Sequence, residues 1–493
     1  MISRSLTDNR SKLESIFSDC RDLVMLPWRY GTDMKYEALS VYFESLAEPR
    51  DQSFMRNTLQ SMAAQPLCSA DTCMEQTRLF SFFEQHGASI NDGVVIDDFQ
   101  HAEAQLLLGN VLIFLDGWNK AIMYQANNVK ARPVDEPSSE SVVKGPREGT
   151  VENMRTNVGL LRSRLQTSQF KLKNVVTGGK THTNVLYGYV EDAVPPHTLA
   201  AFMKRITKAE EMEILETSYI EELIEDAVYS PFPQHRYTER PDSAVAALLE
   251  GKIIVLVEGT GSILVCPGLF TEFFQNSEDY YERTIISTFI RLLRIIAFFI
   301  ALLLPSVYIS LSTFHPELIP TVLLLAVLDT REGIPFPSLV EAVIMMLSFE
   351  LLREAGIRLP RPVGSAVSIV GALIIGEAAI NAGIASPIMV VIIAVTGIAS
   401  FSIPQYAIAI ALRLLQLPLM LLTATMGIFG MMIGLLWITL HLASLKSLGQ
   451  PYLSPLAPLR LGQLADTLIR SPLTLLNRSP RRAHNRNNPK QSS

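Results

Sequence analysis

The sequence predicts an α/β cytoplasmic region of two similar subdomains, followed by an all-α membrane domain of several spans. Three observations carry this reading. From about Phe289 to Leu445 the chain is a series of long apolar runs, and between Pro362 and Leu445 only Glu377 and Arg413 are formally charged. Ahead of Thr284 the composition is that of a water-soluble α/β protein. A single pattern occurs twice within that soluble region. Leu106–Gly117 and Leu248–Gly259 are each an apolar β-rich run closed by an acidic-Gly turn, and a second β-compatible run follows each. A soluble module ahead of a bundle of spans is the arrangement of receptors, channels and transporters.

The 493 residues are enough for about three domains at roughly 150 residues each. A net charge of −6 argues neither for nucleic acid nor for a strongly acidic ligand. No basic region with interleaved aromatics occurs, so nucleic acid is not expected as a partner. Met1 to Asp22 is polar and charged and has no apolar core of a secretory signal. The soluble region is therefore expected in the cytoplasm, with the first span as its own insertion signal. Cys20, Cys68, Cys73 and Cys266 form no C-x-x-C pair. Buried or incidental thiols in a reducing compartment are expected.

In chain order, residues 1–132 form the first α/β subdomain, 133–148 a linker and 149–283 the second subdomain. In the repeat Gly109 aligns with Gly251, Asp116 with Glu258, and Gly117 with Gly259. The linker is marked by the Pro/Ser/acid stretch Ala131–Glu140. In the second subdomain, Glu152 to Leu165 reads as a helix, Thr183 to Val190 as a strand, and Pro196 to Thr207 and Ser218 to Val228 as helices. The last of these places Ile220, Leu223, Ile224 and Ala227 on one face, with Glu221, Glu222, Glu225 and Asp226 on a solvated one.

Catalytic and cofactor motifs fail on spacing. Gly179-Lys180-Thr181 ends like a phosphate-binding loop, but Asn174 stands where that motif needs glycine, and a strand follows instead of a helix. Gly178-Gly179 reads as a hairpin turn, and so does Gly259-Thr-Gly-Ser262. His182, His197 and His235 lack carboxylate partners at ligand spacing. No enzymatic activity, cofactor or metal is expected.

The membrane domain covers residues 284–445. Its first span is about Phe289 to Leu311, with Arg291 and Arg294 placed to snorkel to headgroups. Leu318 to Leu328 is too short to cross alone at 1.5 Å per residue. Phe336 to Gly356 reads as a helix with a Ser338/Glu341 capping box and a stop at Gly356. Its Glu341, Ser348, Glu350, Arg353 and Glu354 suit an interface or a water-filled path. Val363 to Ile384 is a span in which Glu377 and Asn381 share a face at i, i+4. Pro387 to Ile403 is the next span. Ala407 to Leu442 is one kinked span or two tight ones, with Pro418 and Gly427 as candidate breaks. Arg413 reads as a snorkelling residue near a membrane face. The tail, residues 446–493, is basic and is expected in the cytoplasm. Both ends inside require an even number of crossings, and four is the preferred count over six.

Four stretches share a further property. They are Gly145-Pro-Arg-Glu-Gly149 followed by a helix, Phe232-Pro-Gln-His-Arg-Tyr-Thr-Glu-Arg-Pro-Asp242, Glu278-Asp-Tyr-Tyr281, and Leu352-Arg-Glu-Ala-Gly-Ile-Arg-Leu-Pro360. Together with the soluble-then-membrane order, this set resembles the A subunit of GerA-type spore germinant receptors, from about Leu106 onward. Thr260-Gly261 departs from the Thr-Pro of that pattern. The resemblance implies a multi-pass inner spore membrane protein that works with a permease-like B subunit and a lipoprotein C subunit. It implies that the assembly senses small nutrients and triggers ion release and germination. It also implies a homo-oligomer in the lipid bilayer that serves as the ion-conducting element. Nutrient recognition is assigned to the B subunit, so no ligand-binding residue is carried over.

The candidates to face an ion path or a subunit contact are Glu341, Glu350, Glu377 and Asn381, because ionisable groups in a span are functional by default. Arg147 and Glu148 of the Gly-Pro-Arg-Glu-Gly loop, with Glu239 and Arg240 of the Thr-Glu-Arg-Pro-Asp loop, supply salt-bridge groups for interdomain or subunit contacts, or fold back on their own subdomain. A secondary transporter and a non-conducting scaffold are the alternative functions.

Overall fold

The computed structural model describes residues 1–30, 34–47, 80–81, 83–84, 93–126, 137, 140, 142–178, 180–359, 371, 374–460, 464, 466–472 and 474. Cys68, Cys73, most of the 131–140 linker and the first portion of the 363–384 span lie outside the described residues. The chain divides into two compact units, Met1–Glu225 with Tyr237–Pro267, and Asp226–Arg236 with Gly268–Ser493.

The first unit is built on two five-stranded sheets. Strands β1 (Leu23–Tyr30), β2 (Tyr36–Phe43), β3 (Val94–Ile96), β4 (Val111–Leu115) and β5 (Ala121–Tyr124) lie in the order β1-β2-β4-β5-β3. Strands β6 (Phe170–Thr177), β7 (Thr183–Val190), β8 (Arg236–Thr238), β9 (Ile253–Val257) and β10 (Ile263–Cys266) lie in the order β6-β7-β9-β10-β8, the same topology again. The central strands β4 and β9 are buried at every position. That is why both read as continuous apolar runs and not as alternating ones.

Helices α1 (Leu6–Ile16), α2 (Phe99–Leu107), α3 (Met154–Arg164), α4 (Pro196–Ile206), α5 (Thr217–Ile224) and α6 (Pro241–Leu249) complete this unit. The glycines that align in the repeat are those the backbone requires. Gly109 (φ +90°) and Gly251 (φ +84°) close α2 and α6 in the left-handed region, and Gly117 (φ +79°) and Gly259 (φ +82°) turn the two hairpins. A Cβ on Gly251 would also stand 2.4 Å from the Ala193 carbonyl oxygen.

The two halves of this unit are joined by cations of the second meeting anions and carbonyls of the first. Arg162 on α3 is fully buried and donates two 2.8 Å bonds to the Asp22 carboxylate. Its guanidinium lies 4.5 Å from the Phe43 ring and 4.8 Å from the Phe170 ring. Lys171 donates to the Ile16 carbonyl at 3.2 Å, Lys173 pairs with Asp19 at 3.0 Å, and Arg155 donates to the Glu44 carbonyl at 2.6 Å. Cys20 bridges to Leu172 at this seam, and burial raises its thiol pKa.

In the second unit α7 (Thr284–Thr313) is followed by α8 (Thr321–Arg331), α9 (Ser338–Arg358), helical turns at 374–381, α10 (Pro387–Phe401) and α11 (Tyr406–Ser444). A short hairpin of β11 (Lys446–Ser447) and β12 (Gln450–Pro451) follows. Among the described residues, α7 and α11 are long and apolar enough to cross a membrane. At 1.5 Å per residue α7 is about 45 Å long. It contains Pro305, which has no N–H to offer the Ala301 carbonyl four residues back. Gln416 of α11 donates its side-chain amide to that carbonyl instead.

Several expectations are corrected here. Of the two candidate breaks in α11, Pro418 is helical and Gly427 is not, with φ 60° and ψ −141°. The chain folds back on itself there: a Cβ on Gly434 would stand 2.5 Å from Leu419, and one on Gly430 would overlap the Leu422 carbonyl. Residues 406–426 and 428–444 are therefore two antiparallel arms. In α9, Ser338 and Glu341 form no capping box. Pro337 is the N-cap, and the helix continues through Gly356 to Arg358. Glu221 does not lie on a solvated face. It accepts a 2.7 Å bond from the Tyr237 hydroxyl, and burial raises the pKa of both groups.

Asp22→Asn leaves the buried Arg162 charge without its counter-ion. It is expected to destabilise the first unit by about 3 kcal/mol in urea unfolding followed by tryptophan fluorescence.

Candidate functional site

Polar groups in the second unit are few enough to be followed individually. They gather at the two ends of the helix bundle. The end where α7 begins is a collar. Phe232, Phe273, Phe274, Ala297, Phe298, Leu442, Leu445 and Tyr452 share one apolar core there. The Ser447 hydroxyl donates to the Gln234 carbonyl at 2.6 Å, and the Tyr452 hydroxyl to the Pro233 carbonyl at 2.7 Å. Ser230 and His441 are 2.9 Å apart.

Arg291 and Arg294 do not snorkel. Both are buried and turn inward to Asp279, which is itself 2% exposed. Arg291 Nε donates to Asp279 at 2.9 Å, and Arg294 Nη1 at 2.8 Å. Arg291 also donates to the carbonyl of Asp466 at 2.7 Å and to its carboxylate at 3.2 Å. The Tyr280 hydroxyl donates to the other oxygen of that carboxylate at 2.8 Å. Proximity in sequence to a helix start suggested snorkelling. The aspartates, one of them 175 residues away, decide the outcome.

At the far end, Glu341 is fully buried. It pairs with Arg331 of α8 at 3.1 Å and accepts the Ser386 backbone N–H at 3.0 Å, at the start of α10. Ser338 bonds to Ser312 at 3.0 Å and also receives Arg331. Glu341 is therefore a tie between α8, α9 and α10. Glu350 on α9 pairs with Arg353 and stands 3.8 Å from Arg413 of α11. Arg413 turns to this carboxylate and to the Tyr406 ring at 5.5 Å, and its Nε donates to the Ala409 carbonyl at 3.1 Å. Glu377 and Asn381 differ from both. They are exposed, on the helical turns at 374–381, beside exposed Ile374 and Ile375.

The two loops that carry the candidates of the first unit meet each other. Arg240 is fully buried, pairs with Asp242 at 2.8 Å, and donates to the Pro146 carbonyl at 2.8 Å. The Glu239 carbonyl accepts the Thr150 N–H at 2.7 Å. Glu148 pairs with Arg164 at 2.5 Å, and Arg147 is exposed. The Gly-Pro-Arg-Glu-Gly and Thr-Glu-Arg-Pro-Asp loops are thus one interlocked feature. Sequence reasoning missed the pairings of Arg162, Asp466 and Gln416, whose partners are distant in the chain, and those of Arg331 and Asp279, whose partners lie within 15 residues. Among the described residues no cluster of His, Cys, Asp and Glu is arranged to hold a metal ion.

Gln416→Leu, which orphans the Ala301 carbonyl, is expected to cost about 1 kcal/mol. Glu341→Gln, which removes the Arg331 counter-charge, is expected to cost about 2 kcal/mol. Glu377→Gln is expected to leave stability unchanged. Denaturant unfolding of the three variants in detergent micelles checks the ranking.

A family profile described as "Bacillus/Clostridium GerA spore germination protein" matches residues 11–482. The uncharacterized membrane protein YfkQ of Bacillus subtilis (strain 168) is 40% identical over 97% of this chain and 91% of its own length. Spore germination protein KA of the same organism is 38% identical over 96% of this chain and 85% of its own. Its spore germination protein B1 is 33% identical over 98% of both chains. A crystal structure of the N-terminal domain of the A subunit of the Bacillus megaterium spore germinant receptor GerK3 covers 55% of this chain and 97% of that one, at 22% identity and TM-score 0.42. Matched over nearly its whole length, this chain belongs to the Bacillus/Clostridium GerA spore germination protein family.

Proposed function

We propose that this chain is the A-type membrane subunit of a spore germinant receptor. It responds to small nutrients together with permease-like B and lipoprotein C subunits, and it triggers ion release as an oligomeric conducting element. Family membership supports the role in germination. The reading includes no catalytic step.

The observation that carries conduction is the Glu377/Asn381 pair. A carboxylate and a carboxamide share an exposed face of an otherwise apolar helix. Facing lipid, the carboxylate costs several kcal/mol, by about 2.5 to 3.5 on insertion scales. A neighbouring copy or a water-filled path removes that cost. Glu341 and Glu350, by contrast, have cationic partners within the subunit and fit the role of ties between helices.

The helix contacts favour six passes over four. Gly427 lies against Phe314 at the far end, whereas Leu445 and Tyr452 return to the collar. Ser338 starts α9 at the far end beside Ser312, and Phe349 lies against Gly397 on the way back. The turns at 374–381 go out again, and α10 returns from Ser386. With both arms of α11 the chain leaves from and ends at the collar side. The basic tail makes that the cytoplasmic side.

Reconstitution into liposomes with the partner subunits tests the reading by germinant-dependent cation flux. Glu377→Gln is expected to lower the flux about tenfold, equivalent to ~1.4 kcal/mol on the path. If Glu377→Gln leaves flux and germination unchanged, the conduction reading fails. A flux driven by nutrient transport alone would favour a transporter, and no flux with normal germination a scaffold.

A further inference from the structure

The middle of the basic tail does not behave as a solvated segment. Residues 466–470 are fastened to α7 at both ends. Besides its contacts with Arg291 and Tyr280, Asp466 accepts the Gln275 side-chain amide on its carbonyl at 2.9 Å. At the other end Arg470 is 5% exposed. Its guanidinium donates to the Thr284 hydroxyl at 2.7 Å, and its N–H to the Thr288 hydroxyl at 3.3 Å. Between these anchors Thr467 is buried, whereas Leu468 and Ile469 are 43% and 61% exposed. The anchors hold to Thr284, Thr288 and Arg291, which share one face of α7, and beside that face Ile285 and Phe289 are 85% and 65% exposed. Every charged group of the stretch therefore turns into the protein, and its two large aliphatic side chains turn out, continuous with the apolar flank of α7.

That division of polar and apolar groups is the signature of a segment lying in a membrane interface. We propose that residues 466–470 are an interfacial strap. Leu468 and Ile469 insert among lipid chains at the headgroup boundary, while Asp466 and Arg470 hold the strap to the entrance of α7. The occupant of this surface is the bilayer. Continuity with α7 argues for that choice, so the inference rests on the reading of α7 as a membrane span.

The test uses the full-length chain in lipid nanodiscs, with the four native cysteines replaced. Single cysteines at Leu468, Ile469, Phe289 and Val143 carry an environment-sensitive fluorophore. One quencher is attached to lipids near the glycerol, and a second, iodide, is in the water. Labels at Leu468→Cys and Ile469→Cys are expected to match Phe289→Cys in lipid quenching. They are expected to be quenched by iodide about threefold less than Val143→Cys, as for groups buried 5 to 10 Å into the interface. Iodide quenching equal to that at Val143 overturns the strap, and so does shielding from both quenchers, which would mean a protein partner or a second copy. A Phe289 label that also escapes the lipid quencher overturns the placement of α7 itself. If the cysteine-free chain does not fold, the native chain is photolabelled with a diazirine lipid. Labelling of α7 without labelling of Leu468 and Ile469 overturns the strap equally.

Discussion

The membrane domain depends on how two positive charges are kept inside it. Arg291 and Arg294 lie two to three turns into α7 and are buried. A buried guanidinium is stable only with a counter-charge and filled donors. Asp279, from the turn just ahead of α7, and Asp466, from the tail, supply both. One arginine contacts both aspartates and the other contacts the first, so α7, the turn before it and the tail become a single polar knot. The aromatic collar of Phe270, Phe274, Phe298 and Tyr452 packs beside this knot. It gives the apolar ends of the helices a roof, while the knot gives the ionised groups their partners.

The same rule, that each polar group in an apolar surrounding must find a partner, explains the interior of the bundle. Pro305 is tolerated in α7 because Gln416 takes over the carbonyl it frees. Gly427 allows two arms of α11 to return side by side, since a left-handed φ and a close approach to Phe314 both exclude a side chain there. Glu341 persists at the far end because one oxygen meets Arg331 and the other caps a backbone N–H of the next helix.

Local features were legible in the sequence, and long-range pairings were not. The repeat stood out because each copy needs glycine at the same two positions, after a helix and at a hairpin turn. The strand Thr183–Val190 and the failure of the phosphate-loop motif were equally local. Lys180 and Thr181 direct their backbone N–H groups to the Glu213 carboxylate in a turn between strands. By contrast, Arg162 looks like any charge on an amphipathic helix until Asp22 and two phenylalanines close around it. Arg291 and Arg294 follow the pattern of snorkelling residues until Asp466 arrives from the other end of the chain. Glu377 was legible because a lone carboxylate in an apolar run is visible without any partner. Glu341 stood out for the same reason, but its role changed once Arg331 was found opposite.

The strength of these contacts divides the second unit into regions that hold and regions that give. Sliding α7 by one helical turn, about 5.4 Å, would part Arg291 from both aspartates and Arg294 from Asp279, and leave three buried charges in apolar surroundings. The collar, the strap and α7 therefore move as one body. At the far end the Glu341 tie binds the starts of α9 and α10 in the same way. The contact between Glu350 and Arg413 is different. At 3.8 Å it is long for an ion pair, and Glu350 is 44% exposed. It joins α9 to the first arm of α11, against which the second arm packs at Gly430 and Gly434. On the proposed conducting role, a change of state costs least where a single long ion pair is broken, one of whose partners already meets solvent. That places it between α9 and the α11 hairpin, beside the helix that carries Glu377 and Asn381.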